Sequence, residues 1–352
     1  MTQRGRRVLV MALRAIGDVV LITPILRLLR QRVPAAYLAV VADGVSAEVL
    51  RNNPHVDRII VINRALARRL SWHQRLLDTV SLLKDLRAER FDIAVDLFSG
   101  PRSALLTWLC EARDRYGEDF RARGRGYLYN HAIPVARDNR HLVEHKLDII
   151  RPLVGDVEQR DAHLELYLAE GERAYARETL ARLGLRAPLL VGLIPGSGSG
   201  FRNWPADRFA GLGDQLERDR HARIILFGGS HDMLVCQRLR ELMRCCPVDF
   251  SGQTSLRELM ALFAELDLII SNVTGPMHLA VALNRPKVIG LYGAADTVQY
   301  APWGPTGTTL TKGTIRDAYW KKVDYRHDFE YLNQISVKDV LDRVQTLIGA
   351  RA

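Results

Sequence analysis

The chain has 352 residues, 47% of them apolar, and a mean hydropathy of −0.08, the balance of a globular protein in water. That length exceeds one ordinary core, so two domains of roughly 150–200 residues are expected. No apolar run reaches the roughly 20 residues of a membrane span, Met1–Arg7 leads straight into a strand with no signal peptide, and the four cysteines form no CxxC pair. These features point away from a membrane-spanning, secreted or zinc-knuckle protein and toward a reduced, cytosolic one. The net charge of +10 is lopsided: residues 1–155 carry 26 Lys and Arg against 16 Asp and Glu, while 156–352 carry 24 of each. Arg4, Arg6 and Arg7, then Arg64, Arg68 and Arg69, then Arg121, Arg123 and Arg125 are the visible clusters, a field that draws a polyanion: nucleic acid, an anionic membrane or a phosphorylated acceptor.

In chain order, Val8–Leu13 reads as a strand followed by a helix from about Asp18 to Gln31. Tyr37–Val41 precedes a helix near Ser46–Asn52, Arg58–Ile62 precedes one near Trp72–Ala88, and Phe91–Leu97 precedes one near Arg102–Cys110. Gly155–Gly171 is polar and turn-rich, the expected linker. A second series follows: strand Leu189–Ile194, helix Pro205–Arg220, strand Ala222–Phe227, then helices Met233–Arg244 and Leu256–Glu265. The strand Leu266–Ser271, a helix over Met277–Leu283, the strand Lys287–Leu291 and a last helix, Val337–Ile348, complete it. Such alternation predicts an α/β fold with two parallel, doubly wound halves. The predicted boundaries are 1–155, a linker at 156–171, 172–335, and a C-terminal helix at 336–352 that packs back on the first half.

Ligands of such sheets bind at the carboxyl ends of the strands, so the loops there are the place to look for chemistry. In Arg14–Asp18 a single glycine, Gly17, rules out the GxGxxG dinucleotide fingerprint; Asp18 is either a first-turn acid favoured by the helix dipole or a general base on a hydroxyl. Ile194–Gly200 is rich in Gly and Ser and suits a phosphate cradle, to which Arg202 adds a charged fork; without a following Lys-Ser/Thr it is not a Walker loop. In Leu226–Asp232, with Gly228 and Gly229, Asp232 either accepts from ribose hydroxyls or caps the helix. In the turn Asn272–Pro276, Gly275 allows close backbone approach and Pro276 suits a first helical turn, so the free N–H groups form an anion site with His278 beside it. His141–His145 fits HxxEH, but no further ligand is identifiable, and a helix face is preferred to a zinc site. The basic charge has no nucleic-acid-binding motif beside it.

Taken together and in order, these loops resemble glycosyltransferase family 9, the ADP-heptose:lipopolysaccharide heptosyltransferases. The matching pieces are AIGDVVLITP (15–24), FDIAVDL with RSALL (91–106), IPGSGSGFRNWP (194–205), LFGGSHD (226–232), SGQTSLRELMALFAELDLIISN (251–272), TGPMHLAVAL (274–283) and YLNQISVKDV (331–340). The resemblance implies a GT-B architecture, two Rossmann-like domains facing a central cleft, and inverting, metal-independent heptose transfer from an ADP-sugar with no cofactor. Asp18 takes the place of the catalytic base. Donor binding falls to Ser197, Arg202, Gly228, Gly229, Asp232 and the turn Thr274, Gly275, Pro276, Met277 and His278. Arg102, Arg121, Arg123 and Arg125 are the acceptor-binding candidates, for a phosphorylated or acidic glycolipid at the inner face of the cytoplasmic membrane. The chain departs from the family at Val273, where an Asp usually precedes Thr-Gly and contacts the donor sugar, and at Arg202, usually Lys. These departures leave open another nucleotide-sugar donor, or a nucleotide-binding homologue with weakened or lost transfer.

Overall fold

The computed structural model describes residues 5–34, 36–63, 71–136, 138–185, 187–198, 202–293, 297–312 and 328–349. The expected arginine cluster at 64–69 and the loop residues 199–201 lie outside them. The chain divides into two compact units, residues 1–138 with 142–163, and residues 139–141 with 164–352.

The first unit is built on a parallel sheet of six strands among the described residues: β1 (Arg7–Ala12), β2 (Tyr37–Asp43), β3 (Arg58–Ile62), β4 (Ile93–Asp96), β5 (Asp114–Glu118) and β6 (His131–Ile133), in the order β3-β2-β1-β4-β5-β6. The central strands β1 and β2 are apolar on both faces, as burial under helices on either side requires: Val8–Ala12 and Leu38–Ala42 are at most 0% exposed. The helix expected from Asp18 to Gln31 is two helices, Ile16–Leu21 and Thr23–Arg32, meeting at Ile22. Pro24 explains the break, because its ring clashes with the preceding turn and it has no N–H to continue the first helix. The helix Trp72–Ala88 starts at a capping box made by Ser71 and Gln74.

The second unit repeats the pattern with β7 (Leu189–Ile194), β8 (Ala222–Leu226), β9 (Val248–Asp249), β10 (Leu268–Asn272), β11 (Lys287–Tyr292) and β12 (Gly307–Thr311), ordered β12-β11-β10-β7-β8-β9 and parallel throughout. Read from β7 outward, this is the same winding as the first sheet, the Rossmann order. Its core gathers Trp204 and Phe209, edge to face at 4.8 Å, with Leu193, Ile224, Ile270 and Ile289.

The structure adds elements that the sequence reading left out or saw only in part: β5, β6, β9, β12, the helix Leu142–Val154 where only a helix face at 141–145 is expected, and the helix Glu170–Arg182. The last of these begins inside the expected linker, and the division between units falls at 163/164. The C-terminal helix Val337–Ile348, expected to pack back on the first half, has Val340 and Val344 in the core of the second unit. Its two buried valines recur one turn apart, and that stripe meets the helix Ala206–Arg220 and β11.

Candidate active site

In each unit the chain winds outward in one direction from one central strand and in the other direction from its neighbour. The loops after those two strands flank the switch point where ligands of such sheets bind. In the first unit they follow β1 and β4, and Asp18 stands there, in the first turn of Ile16–Leu21. Its side chain is 16% exposed, and its Oδ2 lies 3.3 Å from Arg14 Nε. Burial raises the Asp18 carboxyl above the ordinary carboxylate range, opposed by the charges of Arg14 and Lys146 and by the backbone amide of Ala15. A carboxylate whose proton affinity has been raised, yet which keeps cations nearby, is suited to take a proton from an attacking hydroxyl.

The loop after β4 is organised by Asp96, which is fully buried. Its Oδ1 accepts from the Phe98 and Ser99 N–H groups at 3.1 and 2.9 Å, and its Oδ2 accepts from the Tyr129 hydroxyl at 2.9 Å. This forces Ser99 to φ +47°, and the Ser99 hydroxyl in turn accepts from the Glu118 N–H at 3.0 Å, tying the end of β5 to the same point. The Phe98 ring that results has the Arg14 guanidinium at 5.5 Å and the Lys146 ammonium at 4.9 Å from its centre.

In the second unit the switch-point loops follow β7 and β10. Asn272, at the end of β10 and fully buried, joins them: its Oδ1 accepts from Trp204 N–H at 3.0 Å and its Nδ2 donates to Pro195 O at 2.7 Å. Thr274 caps the helix Gly275–Ala282, its hydroxyl accepting from Met277 N–H at 3.4 Å, and Pro276 stands in the first turn as the sequence predicts. His278 is buried. Burial, and then the neighbouring His141, push it down to about 3, so it is a neutral ring at physiological pH, and its Nδ1 has no protein partner among the described residues. Asp232 reaches across to the first of these loops: a Cβ on Gly196 would lie 2.0 Å from Asp232 Oδ1, so only glycine fits there. The other carboxylate oxygen accepts from Gly229 N–H at 2.9 Å, which is the capping role, and a Cβ on Gly228 would sit 2.7 Å from Asp232 Cβ. Ser197 Oγ donates to Asn203 Oδ1 at 2.5 Å, and Arg202 is half-buried beside it in the chain.

A family model described as Glycosyltransferase family 9 (heptosyltransferase) matches residues 79–324. The chain belongs to glycosyltransferase family 9. Lipopolysaccharide heptosyltransferase 3 of Escherichia coli K12 is 27% identical to it over 345 residues, spanning 94% of this chain and 95% of the relative. A glycosyl transferase family 9 protein from Veillonella parvula DSM 2008 has a similar structure, with a TM-score of 0.84 at 26% identity, covering 99% of this chain and 98% of that one. E. coli ADP-heptose lps heptosyltransferase II follows at 0.78 and 23%, covering 97% and 98%. The fold is the α/β GT-B fold of these enzymes, and this family 9 chain is a glycosyltransferase.

Against that family background, the predicted residues separate into groups. Ser197, Arg202, Gly228, Gly229, Asp232 and the 274–278 turn all belong to loops that follow β7, β8 and β10. The side chain of Met277 is fully buried and packs against Gly290 and Tyr292, leaving only its backbone on the turn. Arg123 and Arg125 bracket the Phe120 ring at 5.7 and 4.9 Å, and Arg121 pairs with Asp119 at 3.5 Å, on the segment that follows β5. Arg102 is exposed and instead lines a groove of about 500 Å³ between β3 and the helix Trp72–Ala88. The HxxEH histidines are divided: His141 precedes the helix, belongs to the second unit, stacks on Trp303 at 4.4 Å and lies 3.0 Å from Ala301 O, while His145 pairs with Asp138 at 3.0 Å in the first. The helical face expected to carry both therefore does not exist, and no cluster able to hold a metal ion occurs among the described residues.

The sequence reading missed Lys146, Glu118, Asp96 and Tyr129 as neighbours of the Asp18 site, and Asn272 as the clasp of the other. Lys146 did leave a signal: it replaces an apolar residue on the buried stripe of Leu142, Val143, Leu147, Ile149 and Ile150.

Proposed function

We propose that this chain moves a heptose from ADP-heptose to a sugar of the lipopolysaccharide core or a related glycan, with inversion and without a metal. The observation that carries this reading is the pair of switch-point sites: a buried carboxylate with flanking cations in the first unit, and a capped helix start with glycine loops and Arg202 in the second. Asp18 accepts the proton of the attacking hydroxyl, and one displacement inverts the anomeric centre. The departing diphosphate is met by the N–H groups of the Gly275–His278 turn and by Arg202, and preorganised dipoles of this kind are commonly worth several kcal/mol. Neutral His278 serves as a hydrogen-bonding partner here and not as a counter-charge. Asp232 faces the nucleotide ribose while capping Gly229. The names of the relatives, lipopolysaccharide heptosyltransferase 3 and ADP-heptose lps heptosyltransferase II, support the donor and acceptor classes.

Val273, half-buried next to the Thr274 cap, favours a second reading in which the donor sugar differs, because valine gives a sugar hydroxyl nothing to bond. Thermal shift separates the two. ADP and ADP-heptose at a hundred times Kd are expected to stabilise the protein by about 2.7 kcal/mol. Stabilisation by UDP-sugars with none by ADP or ADP-heptose would reject the heptose reading.

The acceptor lies on an anionic membrane, and we assign the enzyme to its cytoplasmic face as a peripheral protein. No helix of the described residues is long and apolar enough to cross a membrane. The helix Trp72–Ala88 does expose Trp72, Leu76, Leu77 and Val80 on successive turns, in the half of the chain that holds all the excess positive charge. Co-sedimentation with phosphatidylglycerol vesicles is expected at low salt, with loss at high salt and in W72A/L77A. Equal binding to neutral phosphatidylcholine vesicles, or none to either, would refute the assignment.

A further inference from the structure

Lys146 is a lysine in a place where lysine is rarely found. It is 5% exposed on the inward stripe of the helix Leu142–Val154, and its ammonium makes no hydrogen bond or ion pair with any described residue. The contact it has is the face of Phe98, 4.9 Å from the ring centre. Four charged groups surround it. Asp18 and Arg14 come from the loop and helix start after β1, Asp96 from the end of β4, and Glu118 from the end of β5.

These four are not equivalent. Asp96 is already bonded by two backbone N–H groups and the Tyr129 hydroxyl, so its lone pairs are committed to shaping the loop. Arg14 is the nearer cation to Asp18, at 3.3 Å, but its side chain is 54% exposed, and water and salt weaken such a charge strongly. Lys146 is screened far less, because it is buried with the group it acts on. Burial pushes the Asp18 carboxyl up and the Lys146 ammonium down, each toward its neutral form. Glu118, then Asp18 and Asp96, hold the Lys146 charge against burial, and Arg14 and Lys146 together oppose the rise at Asp18.

We propose that Lys146 is a positioning residue of the transfer reaction: its ammonium, held over Phe98 by the packing of its helix, keeps the Asp18 carboxyl ionised and ready to take the acceptor's proton. This rests on the reading of Asp18 as the base. Removing the charge lets Asp18 hold its proton to higher pH, so activity should fail from the acid side and recover as pH rises.

The test is the pH profile of kcat/KM for wild type, K146Q and K146R between pH 5 and 9 in the full-length chain, with ADP binding as a check on folding. In K146Q the acid limb is expected to move up by about one pH unit, which is a tenfold loss on that limb shrinking to a few-fold difference at pH 9. K146R keeps the charge and should keep the limb within a few tenths of a unit of wild type. A uniform loss across all pH in K146Q, with the limb unmoved, would overturn the proposal and mark Lys146 as a packing residue or a direct acceptor contact. If K146Q does not fold, K146R decides alone, and a limb moved up by a unit despite the retained charge overturns it. The profile is read beside Asp18→Asn: transfer surviving in that variant defeats the base reading itself, whereas its loss together with an unmoved K146Q limb defeats only the role of Lys146.

Discussion

Replacing Asp18 by Asn is expected to lower kcat by roughly 10²–10⁴-fold, the usual worth of a general base, while leaving ADP affinity within about twofold. Asparagine matches the carboxylate in size, so the 16% exposed site loses a proton acceptor without losing volume. The Arg14 contact loses its ionic character, but that pair is largely exposed on the arginine side and contributes little to stability. The proposed nucleotide-binding loops follow β7, β8 and β10 of the other unit, so binding and turnover should separate cleanly. Single-turnover transfer measured beside ADP titration calorimetry is the check. Near-normal turnover would remove Asp18 from the mechanism, and loss of both turnover and ADP binding would show a folding defect instead.

The second large effect is expected at Asn272. Its amide satisfies a buried N–H of Trp204 and a buried carbonyl of Pro195, and it is the direct link between the β10 end and the loop that bears Ser197 and Arg202. Asn272→Ala strands both partners and opens a small cavity. Each buried unpaired group costs about 1–3 kcal/mol, so the variant should lose about 2–5 kcal/mol in urea unfolding of the second unit. Because the loop is released from its anchor, ADP affinity should fall by about tenfold or more, which is 1.4 kcal/mol of binding free energy. Stability within 1 kcal/mol of wild type together with unchanged ADP affinity would refute this account of how the site is held.

What the sequence displayed and what it hid follow a physical division. The strands read correctly are those buried on both faces, such as Val8–Ala12 and Leu268–Ser271, whose unbroken apolar runs are hard to mistake. Those missed lie away from the sheet centres. β5 is DRYGE, β6 is three residues long, β9 two, and β12 is GTTLT; half-exposed strands need no apolar run. The loops of the candidate site announced themselves through glycine, serine and proline, because turns and close approaches depend on local backbone freedom. The clasp and the charge partners did not. The Lys146 charge comes within electrostatic reach of Asp18 only because a helix far along the chain packs over the first sheet, and no short-range pattern encodes that. The pairing of His141 and His145 failed for the opposite reason: a short motif suggested a shared helical face, but the helix starts one residue too late.

The fit between Gly196 and Asp232 bears on how members of this family can be recombined. With no room for a Cβ between them, the loops that contain these residues form one heritable unit although they are far apart in the chain. A chimera that carries Asp232 in residues 226–232 but any residue other than glycine at position 196 starts with a steric conflict in the loops it was meant to redesign. Exchange of the two segments together avoids that conflict, and specificity in this half of the protein is therefore expected to travel in matched pairs of loops.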